Sequence, residues 1–142
     1  DMSDFNYSHK FDFIILPDVL EHIPVDDHPN LFRVIANHMH SSSKILINIP
    51  HPKAIQYLTK VSPEKLQIID QALSADRLIK DAYLNNLLLL DYRSYSIFNF
   101  ENDYAFITFQ LDHDVILNEK SRVNIILKKQ FNRLIYHLSL LF

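Results

Sequence analysis

The stretch FDFIILPDVLEHIP, residues 11–24, decides how this chain is read. Its first six residues form a continuous apolar run, the pattern of a strand buried on both faces. The next eight place Asp18 and the pair Glu21-His22 between two prolines. Polar groups just past such a strand cannot be filling a core. They form either a solvated loop or one wall of a site.

Downstream, Asp26 and Asp27 offer an N-cap and Pro29 suits a first helical turn. The pattern predicts a helix to about His40, with Leu31, Phe32, Ile35, Ala36 and Met39 on one face. The serines at 41–43 are expected to break it, and KILINI (44–49) reads as a second buried strand. Strand, helix and strand with short loops make a βαβ unit, hence a parallel pair with a right-handed crossover. PHP (50–52) closes the unit. Residues 53–73 read as a helical insertion starting near Ser62-Pro63-Glu64, with Leu66, Ile69 and Leu73 inward; Tyr57, Gln67, Asp70 and Gln71 are open to either surface or lining roles.

Ser74 can cap a further helix holding Leu78, Ile79 and Ala82. Asn85-Asn86 ends it, because asparagine is the best substitute for glycine in the left-handed conformation. Residues 87–98 and 104–111 read as an antiparallel hairpin with a longer loop. From Ser121 on, three- and four-residue apolar steps predict an amphipathic helix with a basic flank of Lys128, Lys129 and Arg133. The acids and imidazole at 112–114 suit an exposed turn. These elements form an α/β, four-stranded sheet whose first strand is an open apolar edge. Natural proteins rarely leave such an edge bare, so missing N-terminal strands are expected to pair with it.

The 142 residues fit one domain. A net charge of −3 gives no reason to expect nucleic-acid binding. There is no cysteine, which excludes disulfides and thiolate metal sites and permits the cytoplasmic location expected here. The polar, acidic N-terminus is no signal peptide, and no stretch reaches transmembrane length. There is no glycine, although about ten would be usual for this length. Every glycine-based nucleotide loop is therefore absent from the sequence. With a first residue that is not methionine, this suggests a piece of a larger protein.

FDFIILPDVLEHIP, a helix, then KILINIPHP resembles the middle of the class I S-adenosylmethionine-dependent methyltransferases. The similarity covers roughly residues 1–111 and is strongest over 11–52. Ser42-Ser43 stand where that family usually has paired glycines, and the hairpin matches its sixth and seventh strands. The resemblance implies a Rossmann-like methyltransferase fold, a mostly parallel sheet ending in an antiparallel β-hairpin, here lacking the N-terminal glycine-loop half. Residues 1–114 are then the C-terminal portion of a methyltransferase domain. Residues 115–142 are an amphipathic helix that packs on the domain or a partner.

The resemblance implies S-adenosylmethionine as cofactor. DMSDF at the start is similar to the family's segment after its third strand, which carries the adenine contact onto Asp1 with Met2 beside the ring. Leu16, Pro17 and Asp18 fall where relatives touch the methionine part of the cofactor, at the carboxyl end of a strand near the switch point. His22 suits proton abstraction from an acceptor, since a free imidazole titrates near neutrality. His51 is a second base candidate on the same rim. Alternatively, Glu21 and His22 fix the turn through backbone hydrogen bonds, and His51 only packs beside the site. Some relatives ligate a divalent metal through an E-x-x-E-H set, which Asp18, Glu21 and His22 approximate; many do not, and no metal site is assigned.

The expected activity, in the complete protein, is methyl transfer to a small-molecule or glycan-type oxygen or nitrogen. These residues alone lack the glycine loop and ribose-binding acid, so the chain is expected to be inactive by itself. The rivals are a degenerate methyltransferase-like interaction module and an unrelated α/β domain. The C-terminal helix leaves a homodimer contact and a membrane-surface contact both open.

Overall fold

A computed structural model of the chain describes residues 5–98 and 101–113. Asp1, Met2 and the C-terminal helix expected beyond residue 114 lie outside the described residues.

Four strands form one sheet in the order β1-β2-β4-β3. They are β1 (Phe11–Pro17), β2 (Met39–Pro50), β3 (Leu87–Tyr95) and β4 (Tyr104–Leu111). β1 runs parallel to β2, while β4 is antiparallel to both β2 and β3. Three strands therefore point one way and β4 the other. The expected α/β architecture and the closing hairpin are both present.

The helices are α1 (His28–Asn37), α2 (Pro52–Val61) and α3 (Ala75–Tyr83). The core lies on one face of the sheet, under α1 and α3. Ile45, Ile47 and Ile49 of β2 sit opposite Phe109, Ile107 and Ala105 of β4, all six buried. Phe32 of α1 meets Phe109 edge-on at 6.2 Å, and Leu78 and Ala82 of α3 join the same cluster. Alternate residues of β2 and β4 on the other face are only half-buried. KILINI thus alternates rather than burying both faces.

β1 departs further from a two-sided buried strand: Phe13 and Ile15 are 62% and 63% exposed, and only Leu16 is buried. It is the edge strand of the described sheet, and its register puts Phe13 and Ile15 on the face of Lys44 and Leu46, opposite the core. The helix expected to reach His40 ends at Asn37, so the serines are not what breaks it. β2 begins at Met39 and runs through them, with its pairing to β1 displaced between Phe11 and Phe13. The buried Ser43 hydroxyl makes this workable, donating to the Phe11 carbonyl (2.6 Å) and accepting from the His40 amide (2.9 Å). A side chain supplies the bonds that the bulged ladder lacks.

The insertion is also ordered differently. Its helix starts at Pro52, with His51 as N-cap, its ring accepting from the Lys53 amide. Ser62-Pro63-Glu64 opens only a short 3-10 turn. Ile69 is exposed and Ile68 fully so, whereas Leu73 is buried. Proline stands at the first turn of both, though only Pro63 reads as a start from sequence, and the residues after Lys65 lack a stripe that the core can receive.

With no glycine, the left-handed positions are filled by Asp18 (φ 48°), Asn86 (φ 56°) and Asn102 (φ 57°). Asp and Asn are the side chains that tolerate this region best, through local hydrogen bonding. Asn86 closes α3 where the sequence placed the stop. Asp18 turns the chain off the end of β1.

Candidate functional site

The turn after β1 is held by a set of hydrogen bonds and buries Leu20 and Glu21. The Asp18 amide donates to the Asn48 carbonyl at 2.8 Å, holding the strand tip to β2. Two short 3-10 turns follow, at Leu20–His22 and Val25–Asp27. Leu20 is fully buried in the core. The buried His28 ring places Nε2 at 3.1 Å from the Leu20 carbonyl and 3.0 Å from that of Ile23, so this nitrogen donates. From the other side, the Gln71 amide donates to the Glu21 carbonyl at 3.0 Å and its side-chain nitrogen to the Ile23 carbonyl at 2.5 Å. One histidine and one glutamine thus hold the backbone of PDVLEHIP.

That clamp presents Asp18, Glu21 and His22 to a cavity of about 430 Å³. Its other walls come from α2 (Ala54, Ile55, Leu58), the segment before α3 (Lys65, Leu66, Gln67, Asp70) and the hairpin (Phe98, Asp103, Tyr104). His22 Nδ1 lies 2.6 Å from the Ile69 carbonyl and 3.0 Å from Asp70 Oδ1. Two acceptors on Nδ1 assign the proton there and leave Nε2 as the basic nitrogen. Nε2 is 3.9 Å from Glu21 Oε1.

Glu21 is 2% exposed, and its Oε2 has no hydrogen-bond partner. Burial pushes its carboxyl up to about 6, opposed by a backbone hydrogen bond and by His22 and assisted by the charges of Asp18 and Asp70. Tyr104 is held above its ordinary value, first by burial and then by the charge of Asp18, to which its hydroxyl donates. It stays protonated and fixes the Asp18 carboxylate. Asp103, buried, accepts from the Ile97 and Phe98 amides at 2.7 and 2.9 Å, shaping the hairpin loop that forms the far wall.

The sequence candidates divide by position. Asp18 and His22 line this cavity. Pro17 is exposed at the strand tip, and Leu16 is buried and lines an apolar groove between β1 and α1. His51 lines a neighbouring cleft of about 460 Å³ with Lys53, Tyr57 and Glu101. Its Nδ1 is spent on capping α2, and burial, then the Lys53 ammonium, lowers its pKa. Of the insertion, Gln67 and Asp70 line the cavity, Tyr57 the cleft, and Gln71 serves the clamp. Tyr104 and Asp103 escaped sequence reading. Tyr104 arrives only because the register pairs it with Pro50. Among the described residues, no three His, Asp or Glu side chains are arranged to hold a metal ion, and no helix is long and apolar enough to cross a membrane.

No family model matches the sequence, and no curated protein matches it. Solved structures do. An S-adenosylmethionine-dependent methyltransferase from Clostridium acetobutylicum aligns with a TM-score of 0.62 at 16% identity, over 80% of this chain and 63% of that one. The N-methyltransferase NodS from Bradyrhizobium japonicum aligns at 0.57 and 10% identity, over 80% and 57%. Magnesium protoporphyrin IX methyltransferase (ChlM) from Synechocystis, solved with bound SAH, aligns at 0.60 and 16% identity, over 79% and 49%. The fold is that of the S-adenosylmethionine-dependent methyltransferases. The chain spans less than two thirds of the length of each of these proteins.

Proposed function

We propose that this chain forms the C-terminal part of a domain that transfers a methyl group from S-adenosylmethionine to an oxygen or nitrogen of a small-molecule or glycan-type acceptor. The observation that carries the reading is His22. Its ring is oriented from Nδ1 by Asp70 and the Ile69 carbonyl, at the carboxyl end of a parallel strand, in a cavity of small-molecule size.

The cofactor supplies an electrophilic methyl on a sulfonium. The strand tip fits a contact with it: Pro17 and the left-handed Asp18 are exposed at the end of β1, held to β2 by the Asp18 amide on the Asn48 carbonyl. Pro17 and Asp18 would hold the cofactor there, with Leu16 beneath, and Asp1 and Met2 would take the adenine. On this reading the cradle would be completed by a glycine loop and a ribose-binding acid, and these 142 residues hold no glycine. His22 Nε2 takes the acceptor's proton, and Tyr104 holds Asp18 in place. His51, one cleft away, is the second base. The protein acts in the cytoplasm on this reading.

The test is methyl transfer by the full-length protein with His22→Ala beside wild type. A loss of turnover by a factor of about 10²–10⁴ with unchanged cofactor affinity supports the base; unchanged turnover removes it. The exposed apolar edge of β1 favours one second reading, a methyltransferase-like module that pairs with a partner through that edge and has no activity. Full-length protein that binds the partner, but neither cofactor nor acceptor, selects it.

A further inference from the structure

We propose that the cavity beneath His22 recognises a ligand bearing an ammonium group on an apolar body. On the reading above, which this inference rests on, that ligand is the methyl acceptor.

Four carboxylic side chains line the cavity, Asp18, Glu21, Asp70 and Asp103, against one exposed lysine, Lys65, at the rim. Three of the four are already engaged: Asp18 by the Tyr104 hydroxyl, Asp70 by the Gln67 amide (2.7 Å) and His22, Asp103 by two backbone amides. Glu21 is different. It is buried, it lines the cavity, and one of its oxygens has no partner. Buried polar atoms are nearly always satisfied, so an orphan oxygen on a residue that lines a cavity marks a place for a donor from outside the chain. Surrounded by other acids, that place favours a donor carrying positive charge.

The remaining lining sets the rest of the ligand. Ile55, Leu58, Leu66 and Phe98 give the cavity an apolar wall opposite the acids. A bare metal ion has no use for such a wall, and the acids are not arranged to ligate one. An organic ammonium uses both sides: its N–H groups reach Glu21, and its carbon skeleton covers the aliphatic residues.

The test uses the full 142-residue chain and three small probes of one shape: 2-phenylethylamine, 2-phenylethanol and 3-phenylpropionate. Binding is followed by amide NMR shifts at Asp18, Gln67 and Asp70. The amine is expected to bind at least tenfold more tightly than the alcohol, with the acid weakest. Glu21→Gln, which keeps shape and fold, should weaken the amine about tenfold and leave the alcohol unchanged. Asp18→Asn provides the second variant, with a smaller loss. Equal binding of amine and alcohol overturns the inference, as does displacement of the amine by micromolar MnCl2 with paramagnetic broadening at Glu21. The two readings fail separately. Selective amine binding with no methyl transfer by the full-length protein leaves this site standing and removes the proposed activity. Transfer to an acceptor without an amine does the reverse.

Discussion

His22 Nδ1 and Asp70 Oδ1 meet at 3.0 Å, joining the turn after β1 to the segment before α3. Neither residue can find the other by local structure. The contact exists because Gln71, the next residue, is pinned to the Glu21 and Ile23 carbonyls. It sets the imidazole's tautomer, so Asp70 is a positioning residue for the proposed base. Asp70→Ala should lower kcat of the full-length protein with little change in KM, and Asp70→Ala/His22→Ala should be no slower than His22→Ala alone. Additive losses would mean that the two act independently.

Glu21 ties stability to pH. Its folded-state pKa, about 6, lies above its ordinary 4.5. The folded chain therefore holds the proton more tightly, and stability falls as pH rises from about 4.5 through 6. Above that window the buried charge costs roughly 1–2 kcal/mol. Glu21→Gln should be more stable than wild type by that amount at pH 7, with the gap closing toward pH 4. Urea unfolding at both pH values reads it. A gap that does not change with pH would refute the assignment.

Asn86 does the work usually given to glycine. Its φ of 56° ends α3, and its carbonyl accepts from the Asp112 amide at 2.7 Å. Asn86→Ala should cost about 1 kcal/mol from the left-handed backbone, while Asn86→Gly stays within a few tenths. A tolerated alanine in chemical denaturation would show that the position is not constrained.

β1 presents Phe13 and Ile15 at an open edge. Ile15→Lys should leave the unfolding free energy of the isolated chain within about 0.5 kcal/mol and reduce its self-association, since charge on an edge discourages strand addition. Light scattering and thermal melts check both. A large loss of stability would show that Ile15 is packed.

The isolated chain should bind S-adenosylmethionine weakly or not at all, because the proposed cradle also needs a glycine loop, and its sequence holds no glycine. Micromolar affinity in calorimetry would contradict this.

The sequence by itself determined the elements whose signals are local. β1, α1, β2 and the hairpin follow from apolar period, proline and asparagine, which act within a few residues. It also gave the order that resembles a methyltransferase, and the polar trio at 18, 21 and 22. It misread the serines, because their role in holding a bulge depends on the Phe11 carbonyl across the sheet. Tertiary structure alone decided which atoms converge. Tyr104 reaches Asp18 through strand register, Asp70 reaches His22 through the Gln71 clamp, and Glu21 loses its water by burial beside Leu20. Register, long-range hydrogen bonds and desolvation are properties of the packed chain, and no spacing of letters encodes them.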